Sequence, residues 1–272
     1  MEDLFGNKEK TLEQKVEQSL RFIKSIINSN NTDFVSKLIV GNSGGKDSTV
    51  VMDLVGQIDK SVPSYHANTT IDPIGTIRYV KEVYPQTEIL NPKEGFYTLV
   101  KRKGLPTRLQ RFCCERLKEY VGIGKNMFEG IRSEESVGRK GRDYIQCDSR
   151  PMYKGGQHIY PIYDWTEEDV WEYIRITGLK TNPNYEKNGG CFKRIGCVGC
   201  PLAGKYQRIR EFEAEPKKLN AAKLAIGHGM DNNPQWKLSQ YTNGDADLAI
   251  KWWMSGLTQD QFFKSEKGFF NI

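Results

Sequence analysis

A glycine-rich stretch near the start of the chain has the residue types that bind phosphate. It runs from Gly41 to Ser48 and reads Gly-Asn-Ser-Gly-Gly-Lys-Asp-Ser. Glycine lets a backbone turn sharply and approach phosphate oxygens, while the free N–H groups at the start of a following helix point toward the anion. Lys46 adds a positive charge, and the hydroxyls of Ser43 and Ser48 can donate hydrogen bonds. We therefore predict that this loop binds the phosphates of a nucleotide.

Six cysteines form a second group of residues that could do chemistry. Cys113 and Cys114 are adjacent, and Cys197 and Cys200 form a Cys-x-x-Cys pair later in the chain. Cytosolic proteins keep their thiols reduced, so we expect no disulfides and a metal or redox role for the grouped cysteines. Four thiolates also make a closed structural zinc site, and Cys191 is an alternative ligand.

Alternating strand and helix patterns surround both groups and would position them. Strand patterns occupy residues 37–40, 65–70, 126–131 and 159–162, and helical patterns occupy residues 11–29, 49–55, 74–83 and 166–177. Such alternation predicts an α/β fold with a parallel twisted sheet and helices on both faces. The phosphate loop then lies between the first of these strands and the helix that follows it.

We predict three segments along the chain. Residues 1–36 hold an N-terminal helix, residues 37–204 hold a nucleotide-binding domain that includes the cysteines, and residues 205–272 form a helical C-terminal appendage. The appendage is predicted because the sequence after Cys200 is charged and helical in pattern, with an interruption at Pro216 and no clear strand signal.

The loop resembles a known phosphate-binding motif. Its core, Ser43-Gly44-Gly45-Lys46-Asp47-Ser48, is similar to the PP-loop of the ATP pyrophosphatase and adenylylsulfate reductase superfamily. It differs from the Walker loop, in which a hydroxyl residue follows the lysine and holds magnesium, because Asp47 stands at that place. The resemblance implies an adenine nucleotide alpha-hydrolase-like fold in which these six residues grip ATP or adenylylsulfate with Mg²⁺. Lys46 would be catalytic, stabilising negative charge as it shifts between phosphates.

The cysteines extend this resemblance, which covers about residues 36–205. Adjacent cysteines followed much later by Cys-x-x-Cys-Pro look like the [4Fe–4S] pattern of assimilatory adenylylsulfate reductases. The resemblance implies that Cys113, Cys114, Cys197 and Cys200 hold such a cluster, since four thiolates are its usual ligand set. Sequence spacing does not separate the cluster from zinc.

Three further segments match the family. Residues 130–136 are similar to its Gly-Ile-Arg-x-x-Glu-Ser segment, which implies that Arg132 lies near the phosphate or sulfate as a second catalytic residue. An arginine fork suits such tetrahedral anions. Asp72, after the strand at 65–70, sits where the family contacts the adenosine. Residues 161–171 resemble the family's Pro-Leu-x-Asp-Trp-Thr-Glu-x-Asp-Val-Trp segment, which we interpret as a docking helix without a part in the chemistry.

The resemblance implies an enzyme that activates a substrate with ATP by adenylylation and passes sulfur through the cluster. In the reductases a C-terminal cysteine attacks the sulfate sulfur, whereas no cysteine follows Cys200 here. We therefore expect a sulfurtransferase similar to stand-alone reductase-like proteins and to the PP-loop subunits of DNA phosphorothioation systems. An adenylylsulfate or phosphoadenylylsulfate reductase proper and a non-catalytic nucleotide-binding subunit are the alternatives.

Composition and charge narrow the choice of partners. No apolar run in the 272 residues approaches the roughly 20 that a membrane span needs, and the N-terminus lacks a signal-peptide pattern, so we expect a cytoplasmic protein.

The net charge of +6 suits an anionic ligand and permits nucleic acid. Beside the adenine nucleotide, the predicted partners are a nucleic acid as acceptor and a cysteine desulfurase or other sulfur donor. A basic stretch consists of Arg132, Arg139, Lys140, Arg142 and Arg150. These residues could bind a nucleic-acid backbone, bind a sulfate or triphosphate, or simply form a solvated loop.

Overall fold

The computed structural model describes residues 10–148, 150, 155–186, 190 and 192–263, which form one six-stranded sheet with helices around it. The strands are β1 (Leu38–Gly41), β2 (Ser64–Ala67), β3 (Glu88–Leu90), β4 (Asn126–Phe128), β5 (Ile145–Cys147) and β6 (Gln157–Ile159). The helices are α1 (Leu12–Ile27), α2 (Thr32–Val35), α3 (Lys46–Ile58), α4 (Thr76–Val83), α5 (Phe96–Lys103), α6 (Phe112–Leu117), α7 (Glu167–Thr177), α8 (Lys205–Ala214), α9 (Pro216–Asn232), α10 (Lys237–Thr242) and α11 (Ala246–Ser255).

The sheet is mostly parallel, as predicted. Its strands lie in the order β3-β2-β1-β4-β6-β5, and β1 pairs in parallel with both β2 and β4. The chain thus leaves β1 toward one edge and later returns to its other side. In open α/β sheets, ligands bind at the carboxyl ends of the strands beside such a reversal. The loop after β1 therefore occupies the place where this topology puts a ligand.

One edge of the sheet departs from the predicted parallel arrangement. Strand β5 runs antiparallel to β6, with Gln146 opposite His158. It has three residues and no apolar run, so its sequence carries no strand signal. The strand predicted at 159–162 lies earlier, at Gln157–Ile159, because Pro161 has no N–H to donate to a neighbouring strand.

Helices α1 and α7 each begin with a side-chain cap. Thr11 and Gln14 exchange side-chain and backbone hydrogen bonds at the start of α1, and Thr166 and Asp169 do the same at the start of α7. Such a capping box satisfies two backbone N–H groups that have no partner within the helix. Gly178 ends α7 in a left-handed conformation. The helices predicted at 11–29 and 166–177 are confirmed.

The chain forms two compact units. The first contains Met1–His66, Ile77–Leu90 and Val121–Asn182, and the second contains Ala67–Thr76, Asn91–Tyr120 and Pro183–Ile272. This division cuts across the boundaries predicted after residues 36 and 204. Helix α1 belongs with the sheet because Ile23 and Ile26 are buried in the same core as β1. The segments that carry the grouped cysteines belong with the C-terminal helices.

The core of the first unit is made by α1, α3 and α7 packed on the sheet. Its large, fully buried side chains include Leu54 of α3, Phe128 of β4 and Trp165 before α7. The indole of Trp165 donates to the Ser19 hydroxyl over 3.1 Å, and that hydroxyl donates to the Pro161 carbonyl over 2.7 Å. These bonds satisfy polar groups inside an apolar core and fix the entrance to α7.

The second unit has a separate core formed by helices. Phe212 of α8, Trp252 and Trp253 of α11 and Leu99 of α5 are all buried there. The indole of Trp253 donates to the Pro106 carbonyl over 2.7 Å. The predicted interruption at Pro216 is confirmed, because α8 ends at Ala214 and the proline begins α9. None of the helices in the described residues is long and apolar enough to cross a membrane.

An ion pair between α1 and α7 gives a test of this packing. The Lys15 ammonium lies 2.5 Å from an Asp169 carboxylate oxygen, and both side chains are largely buried. Burial alone would raise the pKa of the Asp169 carboxyl. Hydrogen bonds from Lys15 and Thr166 outweigh burial and lower this pKa below its usual value of 3.8. The pair therefore stabilises the fold above about pH 4, and this contribution is lost as the pH falls through the folded-state pKa.

We expect Lys15→Met to lower the free energy of unfolding at pH 7 by about 1–2 kcal/mol, because it leaves a mostly buried carboxylate unpaired. Urea denaturation at pH 7 and at about pH 3 measures the effect, which should shrink at the lower pH. The control is Lys24→Met on the exposed side of α1. Equal losses for the two variants, or a loss independent of pH, would contradict the assignment.

Candidate functional site

The phosphate loop is held in shape by its own two serines. It connects the end of β1 to α3, whose first residue is Lys46. The Ser48 hydroxyl accepts from the backbone N–H of Ser43 over 3.2 Å and donates to the carbonyl of Gly45 over 2.9 Å. The hydroxyl oxygen of Ser43 lies 3.0 Å from the hydroxyl oxygen of Ser48. These predicted binding residues therefore also fold the loop back onto the first turn of α3.

Two asparagines outside the predicted motif residues support the loop. The Asn42 side-chain carbonyl accepts from the Gly44 N–H over 2.9 Å, and the Asn182 amide donates to the Gly44 carbonyl over 3.2 Å. Both asparagines are almost completely buried. Sequence reasoning missed Asn182 because it is 138 residues from Gly44 in the chain and belongs to no motif. No signal in the sequence marks it, because its role becomes visible only once its burial and its contact with Gly44 are known.

The two predicted catalytic cations meet on one carboxylate. The Lys46 ammonium lies 2.9 Å from one oxygen of Asp47, and the Arg132 Nε donates to the other oxygen over 2.6 Å. Lys46 and Arg132 are 4% and 3% exposed, so both charges are held out of bulk water. The structure therefore brings together Lys46, Asp47 and Arg132 beside the loop, and their catalytic and binding roles stay predictions.

The guanidinium of Arg132 keeps hydrogen-bonding capacity for an anion. One of its terminal nitrogens, Nη1, is buried and has no hydrogen-bond partner among the described residues. A carboxylate oxygen of Glu134 lies 3.6 Å from it, which is an ion-pair contact too long for a hydrogen bond. A buried donor without a partner is costly, and a phosphate or sulfate oxygen would satisfy it.

Glu167, at the first position of α7, is a site residue that the sequence did not identify. Its carboxylate lies 3.7 Å from the Lys46 ammonium, and its backbone N–H donates to the Glu134 carboxylate over 3.1 Å. The docking interpretation of residues 161–171 gave this segment no part in the chemistry. The structure brings its glutamate to the charged cluster of Lys46, Asp47 and Arg132. The acidic residue that follows the Thr166 cap was the available signal.

Gly130 lets the chain after β4 pack directly against the phosphate-loop helix. A β-carbon at this position would lie 2.6 Å from the backbone carbonyl carbon of Asp47 and 2.8 Å from its β-carbon. No real contact is this short, and the backbone atoms involved cannot move aside cheaply. The close approach brings Arg132, two residues later, within reach of Asp47.

In the second unit, the adjacent cysteines lie on the short helix α6. The hydrogen bond between the two thiols, together with burial and the charges of Cys197 and Cys200, raises the pKa of Cys113. The same thiol–thiol hydrogen bond lowers the pKa of Cys114, and the ammonium of Lys118 acts in the same direction. Cys113 therefore keeps its proton while Cys114 is the first of the pair to become a thiolate.

The Cys-x-x-Cys pair lies in a tight turn before α8. The Cys200 N–H donates to the Cys197 carbonyl over 3.2 Å, and the Gly199 N–H donates to the buried carboxylate of Glu211 over 2.8 Å. Gly199 has a φ of +69°, and a β-carbon there would lie 2.1 Å from the ring of Phe212. Only glycine satisfies both requirements, so this turn is fixed by a backbone conformation and by packing.

Asp72 lies in the second unit, where it acts on a cysteine. Its carboxylate accepts from the Thr69 N–H over 3.1 Å. Burial and the charge of Asp72 raise the pKa of Cys197 to about 12. The Val198 N–H donates to the Ile71 carbonyl over 3.0 Å, so the segment after β2 is attached to the cysteine turn. The predicted contact of Asp72 with the adenosine stays a prediction.

The four predicted cluster ligands fall together in the second unit, and the charges of the other three act on Cys113. Across the described ranges, no group of three or more His, Cys, Asp and Glu side chains is arranged to hold a metal ion. A tetrahedral zinc site with Zn–S bonds of about 2.3 Å needs sulfurs about 3.8 Å apart. A [4Fe–4S] cluster takes one thiolate at each of four irons and spaces them more widely. The four cysteines thus match a cluster in residue type, while the described residues show no arrangement of them that would hold a metal ion. The alternative ligand Cys191 lies outside the described residues.

Three of the five cations in the basic stretch predicted to suit nucleic acid are paired with carboxylates within the first unit. Arg132 pairs with Asp47, and Arg139 pairs with Glu135. Arg150 donates to Asp148 over 2.9 Å. An arginine already paired with a carboxylate has less charge to offer to a phosphate backbone. This stretch therefore gives little support to the predicted nucleic-acid acceptor.

Comparison with known proteins decides the family. Residues 37–203, more than half of the chain, match the phosphoadenosine phosphosulfate reductase domain. The chain belongs to this family. The predicted PP-loop, reductase-like membership is confirmed, and the matched region contains both the phosphate loop and the four grouped cysteines of this family member.

Relatives of this family member include reductases and proteins without an assigned role. The adenosine 5'-phosphosulfate reductase of Halalkalibacterium halodurans is 28% identical over 182 residues, which are 60% of this chain and 74% of the relative. An uncharacterized protein of Methanocaldococcus jannaschii is 29% identical over 237 residues, 81% of this chain. The chain spans about half the length of that relative and of a second one from the same organism, 54% and 45%.

The chain is similar to solved structures only at low sequence identity and low TM-score. The phosphoadenylyl-sulfate reductase of Candida auris, in a phosphate complex, has a TM-score of 0.48 and 18% identity, covering 71% of this chain and 98% of its own. The NH3-dependent NAD synthetase of Campylobacter jejuni has a TM-score of 0.45 and 15% identity, covering 82% and 95%. The mostly parallel six-stranded sheet is itself the α/β architecture that the sequence predicts.

The close packing at Gly130 yields a direct test of the first-unit site. Gly130→Ala should destabilise the protein by about 1–3 kcal/mol, because the new methyl group overlaps the Asp47 backbone. It should also weaken binding of ATP by displacing Asp47 from Arg132. The control, Gly138→Ala, has open space around its β-carbon. Thermal unfolding and calorimetric titration with ATP measure both effects, and parental behaviour of the Gly130 variant would contradict the packing argument.

Proposed function

We propose that this family member binds ATP at the Gly41–Ser48 loop and adenylylates a substrate for sulfur transfer, with a [4Fe–4S] cluster on its grouped cysteines. The observation that carries the proposal is the chain of ion pairs from Lys46 through Asp47 to Arg132 beside the loop. Two buried cations and the backbone N–H groups at the start of α3 give an anion site of the kind that polyphosphates need.

The roles of the loop residues follow from the reaction. A substrate oxygen attacks the α-phosphorus of ATP, and pyrophosphate leaves with the electrons of the broken phosphorus–oxygen bond. Lys46 and the N–H groups in the first turn of α3 would stabilise the charge that moves onto the leaving pyrophosphate. Arg132 would bind a phosphate or sulfate oxygen through its unpartnered nitrogen, and Asp47 orients both cations.

Magnesium fits this site as a companion of the nucleotide. Mg²⁺ is usually bound by one or two carboxylates together with substrate phosphates, and it keeps several waters. Asp47, Glu134 and Glu167 bring carboxylates to the cluster of charges around Lys46 and Arg132. One or two of them would hold the ion once phosphate oxygens complete its ligands.

The proposed cluster rests on the chemistry of the donor set. Cys113, Cys114, Cys197 and Cys200 would hold it, and Lys118 would offset part of the negative charge of the thiolates. The buried turn at Gly199 keeps the second cysteine pair in place. When bound, the cluster supplies iron that binds sulfur and exchanges electrons. The acceptor, a nucleic acid in the first instance, and the sulfur donor, such as a cysteine desulfurase, are part of the same proposal.

A reductase is the second candidate function. The names of relatives such as that from Halalkalibacterium halodurans favour it, since they are adenosine 5'-phosphosulfate reductases. Release of sulfite from adenylylsulfate in the presence of thioredoxin would establish this activity and overturn sulfur transfer. Release of pyrophosphate from ATP would support adenylylation. A nucleotide-binding subunit without turnover would show neither product while still binding ATP.

Substitution of the loop lysine tests nucleotide binding. Lys46→Ala should weaken ATP binding by about 10- to 100-fold, since a hydrogen bond to a charged group contributes about 1.5–3 kcal/mol. Titration calorimetry compares it with Lys60→Ala, which removes an exposed lysine just after α3. An unchanged affinity for ATP in the Lys46 variant would show that the phosphates bind elsewhere.

Iron analysis tests the cysteine assignment. Protein purified without oxygen should contain about four iron atoms and four labile sulfides per chain, as a [4Fe–4S] cluster requires. Cys113→Ser and Cys200→Ser should lose most of this iron. Cys147→Ser should keep it, because Cys147 is exposed on β5 in the first unit. Colourless parental protein that contains zinc would refute the cluster.

A further inference from the structure

Two buried asparagines bind the peptide groups on either side of Gly44 in the phosphate loop. The Gly44 N–H donates to the side-chain oxygen of Asn42 over 2.9 Å, and the Gly44 carbonyl accepts from the side-chain amide of Asn182 over 3.2 Å. Each asparagine is 1% exposed. The two polar backbone groups of one glycine therefore have separate partners, one within the loop and one on the segment that follows α7.

The peptide group between Gly44 and Gly45 is the part of the loop that rotates most easily. Gly44 has a φ of +72°, and neither residue carries a β-carbon that would oppose rotation. A peptide group is planar and trans, so its carbonyl oxygen and its N–H point in opposite directions. Rotation of this group would therefore exchange the directions of the Gly44 carbonyl and the Gly45 N–H.

The observed orientation turns this N–H toward a hydroxyl that is predicted to bind phosphate. The Gly45 N–H donates to the Ser43 hydroxyl oxygen over 3.3 Å. The hydrogen of that hydroxyl can point to the Ser48 hydroxyl, 3.0 Å away, or to a phosphate oxygen. In the rotated state the Gly44 carbonyl would face Ser43 instead. It would accept the hydrogen of the hydroxyl and would repel an incoming phosphate, since the oxygens on both sides carry negative charge.

A second contact holds the backbone that carries Asn182. Between Gly178, which ends α7, and Asn182, the Lys180 carbonyl accepts from the Tyr79 hydroxyl of α4 over 2.8 Å. The segment is thus attached to α4 through Lys180 and to the phosphate loop through Asn182. Both attachments lie within the first unit, so this unit alone fixes the direction of the Gly44 carbonyl.

We propose that Asn182 is a positioning residue for nucleotide binding. Its amide holds the Gly44 carbonyl away from Ser43 and so keeps the Gly45 N–H on the Ser43 hydroxyl, which is then able to donate to a phosphate. A chain of hydrogen bonds polarises its members, so the hydroxyl at the end of this chain becomes a better donor. The part played in ATP binding rests on the proposed function, whereas the orientation of the peptide group belongs to the protein without ligand.

An amide at this position donates a hydrogen bond without adding a buried charge. An ionised carboxylate only accepts, so Asn182→Asp keeps the shape of the side chain and loses the bond to Gly44. A protonated carboxyl has an O–H that can donate, and burial raises the pKa of a carboxyl. The Asn182→Asp variant therefore separates the effect of the hydrogen bond from the effect of side-chain volume.

Titration calorimetry with ATP and with inorganic pyrophosphate tests the proposal. Asn182→Ala should weaken binding of both ligands by about five- to tenfold, as expected for the loss of one hydrogen bond. Asn182→Asp should show at least the same loss at about pH 8. Its deficit relative to the parent should shrink toward about pH 5.5 as the carboxyl regains a proton, whereas the deficit of Asn182→Ala should not change.

The matched control is Asn126, at the start of β4. It is 2% exposed, and its amide donates to the Phe34 carbonyl over 2.8 Å, so it makes the same kind of buried contact as Asn182. Asn126→Ala should lower the temperature of thermal unfolding, as Asn182→Ala does, because each leaves a buried carbonyl without that donor. It should nevertheless bind ATP and pyrophosphate like the parent.

A variant outside the asparagine carries the test if the Asn182 variants do not fold. Tyr79→Phe removes the hydroxyl that binds the Lys180 carbonyl and keeps the ring. It should weaken ATP binding by about twofold, because Asn182 then lies on a less constrained backbone. Parental affinity of Tyr79→Phe for ATP would count against the positioning role.

Three results would overturn the positioning role while ATP still binds to the parent. They are parental affinity of Asn182→Ala, equal losses for Asn182→Ala and Asn126→Ala, and a deficit of Asn182→Asp that stays constant as the pH falls. Failure of the proposed function is seen differently. A parent that binds ATP without releasing pyrophosphate lacks adenylylation and leaves the role of Asn182 in place, whereas a parent that binds neither ATP nor pyrophosphate overturns both.

Discussion

The carboxylate of Asp47 holds two buried cations together, and the arrangement of the first unit depends on it. Lys46 and Arg132 would repel each other in a medium of low polarity if no anion lay between them. One oxygen of Asp47 faces each cation, so the cost of removing three charges from water is offset by two short contacts. The aspartate after the lysine, which separates this loop from a Walker loop, thus has a structural reason.

The same carboxylate links parts of the sheet that are distant in sequence. Asp47 lies in the first turn of α3, and Arg132 follows β4. The bare backbone of Gly130 makes that approach possible. Across the site, Glu167 at the start of α7 adds an opposite charge near Lys46. The segments that follow β1, β4 and β6 therefore meet at one group of charges, beside the point where the strand order reverses.

Short-range signals made much of this predictable from sequence. The loop from Gly41 to Ser48 and the caps at Thr11 and Thr166 depend on residues within one helical turn of each other, and a motif records such proximity. The contacts of Asn182 with Gly44 and of Glu167 with Lys46 were not predictable. Each joins segments far apart in the chain, and a single sequence holds no record of which distant residues meet. The antiparallel edge strand β5 was missed for a different reason, since three mixed residues carry no period.

Gly199 shows how strongly the structure can restrict which amino acids are tolerated at one position. Its left-handed backbone excludes other residues on conformational grounds, and the ring of Phe212 excludes them on steric grounds. A smaller residue at 212 would remove only the second obstacle, so no single compensating change can open position 199 to a side chain. Sequence variation around the cysteine turn is therefore expected at its exposed neighbours. Substitutions there can change which molecules the turn contacts while the backbone that holds Cys197 and Cys200 stays the same.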